Sequence, residues 1–365
     1  MTTITRLANV CSVLGACLIA AGCAQYDRAA GSKDQATVYA ASEAQAAPAV
    51  KALLGEQRQF IASRNLTFKV GVTRVTGLGL DRITGEREIP RDQVLQIQRV
   101  MLAKEFHPEV LKWIKELQAK GCKAGNKRYD ARNDNLVPDV RFQQCGNCWA
   151  YSGIGPIETS HIRINGVANP STVDLSEMQI VACSGGGDCG GGFTYQALNW
   201  LKSTGTKVMN DANAPDNGLD SPCPPAAGNP RIQLVDWGVI DPSGDITRIA
   251  PVDKIKEAIC KYGPVACSLN ATPLMQNYTS GVFYETASDY NSPTSNHAVM
   301  IVGWDDNKQA WLMRNSWGTT WGENGYAWVH YQSNNIGRRA AWVLVKKLSS
   351  PFSLPDLQRA VRFNP

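Results

Sequence analysis

The 365-residue chain has no arginine-rich run, no basic stretch interleaved with aromatics, and a mild net charge of +5. Nucleic acid is therefore not an expected partner. Histidine is scarce: His107, His161, His297 and His330 are all there are, and none stands in an HExxH or a CxxC-plus-HxxxH arrangement. The common zinc patterns are excluded, and no metal or organic cofactor is implied. There is no internal repeat. Hydrophobic residues make up 43% and charged residues 19%, the proportions of an ordinary globular protein with enough apolar surface for a core.

A long hydrophobic run is also missing. The apolar stretch Leu7–Ala21 follows a short, singly basic segment, Met1–Arg6. It has the length of a signal-peptide core and is too short for a permanent membrane span. Leu18-Ile19-Ala20-Ala21-Gly22-Cys23 resembles a bacterial lipobox, with alanine where leucine is usual at position 20. Residues 1–22 then form the signal peptide, and Cys23 becomes a lipidated N-terminus that makes the membrane a partner. Ala24, in place of aspartate, points to the outer membrane; an ordinary signal peptide and a secreted chain is the alternative. Export permits disulfides.

After Cys23 a polar Ala/Ser/Gln-rich stretch runs to about Pro48 and reads as a tether. Val50–Arg64 has a helical pattern, and Leu66–Val75 alternates like a strand. Arg91–Lys120 reads as one long amphipathic helix ended by Gly121, with Val94, Ile97, Met101, Val110, Leu111, Ile114 and Leu117 on one face. Lys123–Asp134 is polar, loop-like and a natural place for a proteolytic cut. From 127 to 347 a helical start gives way to a glycine- and proline-rich middle and then to β-branched and aromatic runs. Helices first and strands later predict an α+β arrangement of two subdomains. The tail, 348–365, says little.

The chemistry concentrates in Val140–Tyr151, VRFQQCGNCWAY. A cysteine at a helix start ionises readily, because the helix N-terminus and a nearby imidazolium both stabilise a thiolate. Cys145-Gly-Asn-Cys148 alone also fits a CxxC redox pair, but a loop precedes it where that motif needs a βαβ context. Two later runs weigh against the redox reading. Asn296–Trp304, NHAVMIVGW, puts His297 at the mouth of a hydrophobic strand. Arg314–Tyr326, RNSWGTTWGENGY, supplies Asn315, whose amide can orient an imidazole as a carboxylate does in serine enzymes.

The order Cys…His…Asn and the runs CGNCWAY, CGGGF, NHAV and NSWGTTWGENGY resemble the papain family of cysteine peptidases over about Tyr129–Val345. The resemblance implies a papain-like two-subdomain fold: a helical subdomain carrying the nucleophile Cys148, a barrel-like sheet subdomain carrying His297 and Asn315, and a cleft between them. It implies hydrolysis of protein or peptide substrates through an acyl-enzyme, by a monomer. It pairs Cys145 with Cys189 and Cys183 with Cys223, and leaves Cys122, Cys260 and Cys267 undecided. Gly190-Gly191-Gly192 stands where substrate backbone runs antiparallel along the cleft, glycine admitting that close approach. Phe193, Ser268, Ala298 and Leu344 would line the pocket for the residue two before the scissile bond, with an apolar preference. Trp317 would shield the His297–Asn315 bond, with Trp321 behind it.

Three departures stand out. Phe142 occupies the position of the family's oxyanion glutamine, so Gln143 is the expected donor and Gln144 its rival. Pro156 lies inside the nucleophile helix and should kink it. Arg339 and Asn291 stand where a third disulfide is usual. The stretch Val50–Gln118, within 23–126, reads as a pro-segment or a permanent N-terminal domain. A catalytically silent peptide-binding lipoprotein of the same fold remains an alternative. The sequons at Asn65, Asn270 and Asn277 are set aside. Replacing Cys23 by serine should abolish incorporation of labelled fatty acid and leave the precursor uncleaved by the lipoprotein signal peptidase; unchanged labelling would overturn the lipobox reading.

Overall fold

The computed structural model describes residues 34–106, 111, 114–115, 118, 121–225, 232–286, 294–348, 353–359 and 361–363. The signal peptide, Cys23, His107, Val110, Leu117 and Asn291 lie outside them. The expected tether is in part a helix, α1 (Gln35–Gln45). Val38 and Tyr39 are buried, and the Tyr39 hydroxyl donates to the Gly322 carbonyl at 2.7 Å. Two adjacent buried side chains leave no periodic stripe in the sequence; docking adds to the helix propensity of the alanines. Helix α2 (Pro48–Ser63) starts on a proline, which costs nothing where the N–H has no partner, and buries Leu54, Gln57 and Ile61 on one face.

Two further expectations are shortened. The strand of Leu66–Val75 is confined to Lys69–Val70, antiparallel to Tyr278–Ser280. The long helix ends early, as α3 (Arg91–Leu102), and Lys104–Phe106 is extended, paired with Val361–Phe363 of the tail. The competing interaction is Lys104, whose ammonium sits 2.9 Å from the carboxylate of fully buried Asp236. Burying that pair draws the chain out of the helix.

Among the described residues the main sheet has nine strands: β1 (Arg128–Asp130), β2 (Lys207–Val208), β3 (Ile232–Val239), β4 (Val265–Leu269), β5 (Val282–Phe283), β6 (His297–Asp305), β7 (Ala310–Arg314), β8 (Tyr326–His330) and β9 (Arg338–Val345). Their order is β5-β8-β7-β6-β4-β9-β3-β2, with β1 on β6. β5 and β2 are unjoined edges, so the barrel-like subdomain is an open sheet. β6 is covered on both faces and reads as an unbroken apolar run for that reason.

Helix α4 (Cys148–Asn165) packs across β6 and β9, with α5 (Glu177–Cys183) and α6 (Thr194–Thr204) beside it. Ser152 Oγ ties α4 to the sheet by donating to the Val299 carbonyl at 2.7 Å. Pro156 lies within α4 without ending it. The architecture is the expected α+β arrangement, with α4 as the wall between helices and sheet. Helix α7 (Val252–Tyr262) buries Ile255, Ala258, Ile259 and Tyr262 at helical spacing on the far side.

The disulfides among the described residues are Cys122–Cys260, Cys145–Cys189 and Cys183–Cys223, while Cys148 and Cys267 are free and buried. Non-reducing peptide mapping should recover these three pairs, and a Cys260–Cys267 peptide would overturn the assignment. Cys122 and Cys260 are 138 residues apart. Replacing both by serine should therefore lower the unfolding free energy by about 3–5 kcal/mol, because long loops gain most from closure.

Candidate active site

Cys148 is the first residue of α4, where the unpaired N–H groups of the first turn favour negative charge. Its sulfur accepts a hydrogen bond from the Ala298 N–H at 3.4 Å. The preceding residue, His297, opens β6 and is completely buried. Its Nε2 lies 2.8 Å from Asn315 Oδ1, which also accepts from the Ser316 N–H at 2.8 Å. Two donors converging on that oxygen fix the amide orientation and put the imidazole proton on Nε2. Nδ1 is left unprotonated and without a partner. The Trp317 ring stacks on the imidazole at 4.8 Å, and Trp321 meets Trp317 edge-on at 5.1 Å. The pair is thereby held in a dry enclosure.

The two glutamines diverge. Gln143 is buried; its Nε2 donates to the Cys145 carbonyl at 2.8 Å, and Ser316 Oγ donates to its Oε1 at 2.6 Å. One amide hydrogen of Gln143 remains for another acceptor. Gln144 turns outward, with its side chain and its backbone N–H both donating to Asp216.

The cleft beside these residues is filled by the chain's own segment Thr84–Ile89, which no motif in the sequence had marked. The N–H groups of Gly85 and Glu86 donate to the Asn296 carbonyl, each at 2.9 Å. Arg87 N–H donates to the Gly192 carbonyl at 3.0 Å, and Gly192 N–H to the Gly85 carbonyl at 2.8 Å. Trp317 Nε1 donates to the Ile83 carbonyl at 2.7 Å. The backbones meet closely: a Cβ on Gly191 would stand 2.7 Å from the Gly85 oxygen, and one on Gly85 would strike the Gly146 carbonyl. Glu86 bridges Gly192 in the parallel sense, opposite to that expected of a substrate. The strap thus occupies the groove while running backwards through it.

The cavity beside the Glu86 side chain gathers only part of the expected pocket lining. The cavity around the Glu86 side chain is lined by Ser268, as expected, but also by Thr194, Cys267, Arg339 and Ala341. Ala298 stays at the Cys148 sulfur, and half-buried Phe193 precedes α6 with its ring edge-on to Tyr195 at 5.7 Å. Leu344 does not line the cavity. From Ala341 to Leu344 the pairing with β3 is regular, and a three-residue step along an alternating strand lands on the other face.

Burial under the strap works against charge at both reacting groups. It pushes the Cys148 thiol far above its usual range, the Glu86 carboxylate adding to this while backbone N–H groups of Ala298, Glu86 and Trp149 oppose it. It pushes His297 down to about 4, against the Asn315 hydrogen bond. Desolvation thus disfavours the charged form of each group. Removing the strap returns water to the site, and the helix terminus and the orienting amide then favour the thiolate–imidazolium form.

The papain family cysteine protease model matches residues 125–344. The chain belongs to the papain family. Cathepsin L of Sarcophaga peregrina is 34% identical over 218 residues, 57% of this chain and 60% of that protein. Cathepsin O of Homo sapiens is 33% identical over 215 residues, 58% of this chain and 63% of that protein. The chain thus spans about three-fifths of the length of these relatives, both of them animal proteins. The fold is shared with digestive procathepsin L 3 of Tenebrio molitor larval midgut, at a TM-score of 0.59 and 23% identity over 81% of this chain and 88% of that one. The recombinant stem bromelain precursor gives 0.57 and 20% over 82% and 90%. The bromelain protease of Ananas comosus in complex with the E64 inhibitor covers 60% of this chain, against 81% and 82% for these two.

Alkylation of Cys148 in this papain-family chain should be slow near neutral pH while the strap is in place, accelerating only in strongly alkaline solution where the raised thiol ionises. After proteolytic removal of the strap the rate at about pH 7 should rise by at least about 100-fold. Equal rates in both forms, measured by mass spectrometry of the Cys148 peptide, would show that covering does not suppress the thiol.

Proposed function

We propose that the chain is a cysteine endopeptidase synthesised in a self-inhibited form. The carrying observation is the His297 imidazole, with Nε2 on Asn315 and Nδ1 unpartnered, opening the strand whose next residue holds the Cys148 sulfur. In the proposed reaction Nδ1 takes the thiol proton, and Cys148 Sγ attacks the scissile carbonyl carbon. The resulting oxyanion is stabilised by the Cys148 N–H and by Gln143 Nε2. Collapse expels the amine, which takes the proton from His297. Water, deprotonated by the same nitrogen, then releases the acid product and regenerates the thiol. Asn315 holds the ring for both proton transfers, and Trp317 keeps their hydrogen bond dry.

In this reading 127–347 is the peptidase domain and 23–126 contains the inhibitory pro-segment. The reverse direction of the strap and the shared fold with precursors support that assignment. Reversal leaves no strap peptide bond in the orientation of a substrate, so the inhibitor occupies the groove without being cut. Lipidation at Cys23 and an outer-membrane location of a monomer belong to the same proposal. Three disulfides fit an oxidising compartment. Among the described residues no helix is long and apolar enough to cross a membrane.

Peptide hydrolysis by the activated full-length chain, lost in Cys148→Ser, tests the reading. Removing one side-chain donor from an oxyanion hole costs about 100- to 1000-fold in turnover. Gln143→Ala should therefore lose at least about 100-fold in kcat/KM, whereas Gln144→Ala, whose side chain faces Asp216, should lose less than about 10-fold. Full activity of Gln143→Ala would transfer the oxyanion role to another group.

A further inference from the structure

The cavity that receives the side chain opposite Gly192 contains a buried arginine. Arg339 Nη1 lies 2.7 Å from Glu86 Oε1, and the two side chains are 4% and 1% exposed. The same nitrogen donates to the Arg87 carbonyl at 2.7 Å, and Nη2 stands 3.1 Å from Glu88 Oε1. Among the described residues, every hydrogen-bond and ion-pair partner of the Arg339 side chain comes from the strap segment 86–88. Among the described residues of 127–347, none contributes a carboxylate to it. Ser268 and Thr194 add hydroxyl groups to the lining, and Thr194 Oγ1 donates to Glu86 Oε2 at 3.3 Å. Arg339 also holds a left-handed backbone conformation (φ 57°) at a break in the pairing of β9 with β4. A non-glycine residue in that region is strained and persists only where surrounding structure over-determines it.

Withdrawal of the strap leaves this guanidinium at the base of a groove without an internal counter-ion. A buried cation lacking its partner is costly, so an occupant that supplies an anion gains more than one that brings a hydrocarbon. The planar guanidinium fits a carboxylate in both charge and shape. An apolar side chain in the same place would meet Leu198, Trp237 and Ile246 but leave the buried cation without an anion.

We propose that Arg339 makes this subsite acid-selective: the peptidase takes glutamate, and less well the shorter aspartate, at the residue that pairs with Gly192, two before the scissile bond. Glu86 is the strap's built-in occupant of that subsite, held by the ion pair a substrate carboxylate would make. The reverse course of the strap does not change which residue faces the pocket, because Gly192 bonds on either side of Glu86 through its N–H and its carbonyl. The inference rests on the peptidase reading above. It replaces the apolar preference expected from Leu344.

The test uses the full-length chain, activated by limited proteolysis of its N-terminal segment, with fluorogenic peptides that differ only in glutamate, aspartate, leucine, phenylalanine or arginine at that position. A hydrogen-bonded ion pair of this kind is expected to favour glutamate over leucine by at least about 30-fold in kcat/KM, with most of the difference in KM. Arg339→Leu leaves Glu86 buried and unpaired and can misfold. The doubly neutral Arg339→Leu/Glu86→Leu chain guards against this by removing both charges together. Its preference should reverse to leucine by at least about 10-fold, while Arg339→Lys should still favour glutamate. Alkylation of Cys148 should proceed at one rate in all activated variants, separating selectivity from the chemistry. Preference for leucine or phenylalanine in the wild-type chain, or a glutamate-to-leucine ratio unmoved by Arg339→Leu/Glu86→Leu, would overturn the inference and leave the peptidase reading intact. Turnover of none of the peptides by an alkylatable wild-type chain would overturn the peptidase reading, and the substrate selectivity with it.

Discussion

A hydrogen bond from the Ala298 N–H to the Cys148 sulfur pins the first residue of a helix to the second residue of a strand. Everything reactive is arranged around that point. Ala298 follows His297, so the bond fixes where the imidazole emerges; Asn315 on the segment after β7 then fixes how it is turned. Gln143 reaches the same place from the loop before α4, clamped to Ser316 through backbone and side chain. Three stretches distant in sequence are thus brought together by short polar contacts inside an apolar shell, where each contact is worth more than in water and each unmet one costs more.

The same enclosure makes the site easy to silence. A thiol and an imidazole that must exchange a proton need some access to water or to compensating charge, and Thr84–Ile89 removes the first without supplying the second. The polar contacts of the N-terminal region with the sheet hold that cover in place. Tyr39 bonds Gly322, Lys104 shares buried Asp236 with Lys202, and Gln98 donates to the Ser243 carbonyl at 3.0 Å. Burial lowers Lys104 to about 8 even with Asp236 opposing the shift, so this anchor is a compromise between desolvation and pairing.

The residues that meet at the cleft were legible in the sequence because their signal is local. CWAY, NHAV and NSWG each place a chemical group and the neighbours that orient it within a few positions. The strap was not legible: Thr84-Gly85-Glu86-Arg87-Glu88-Ile89 has no apolar period, and its shape is dictated by a groove whose walls, from Gly146 to Asn296, stand far along the chain. α1 escaped for a related reason, since two buried side chains in an alanine-rich run draw their order from the surface they dock on. Leu344 was expected at the pocket from the family resemblance, and the regular alternation from Ala341 puts it on the face opposite this cavity. The irregularity around Arg338–Ala341 and the left-handed turn at Arg339 present Arg339 and Ala341 to the cavity instead.

The disulfide between Cys122 and Cys260 crosses from the N-terminal region to α7. A single peptide-bond cut anywhere in 123–134 therefore severs the backbone but not the molecule. The strap stays on a sulfur leash, and a leashed ligand sees its site at an effective concentration on the order of millimolar whatever the dilution outside. Dilution cannot clear the groove after such a cut. Clearance takes either a break upstream of Cys122 or a thiol that opens the bridge, so the chemistry of the surrounding medium enters into how completely the groove is vacated.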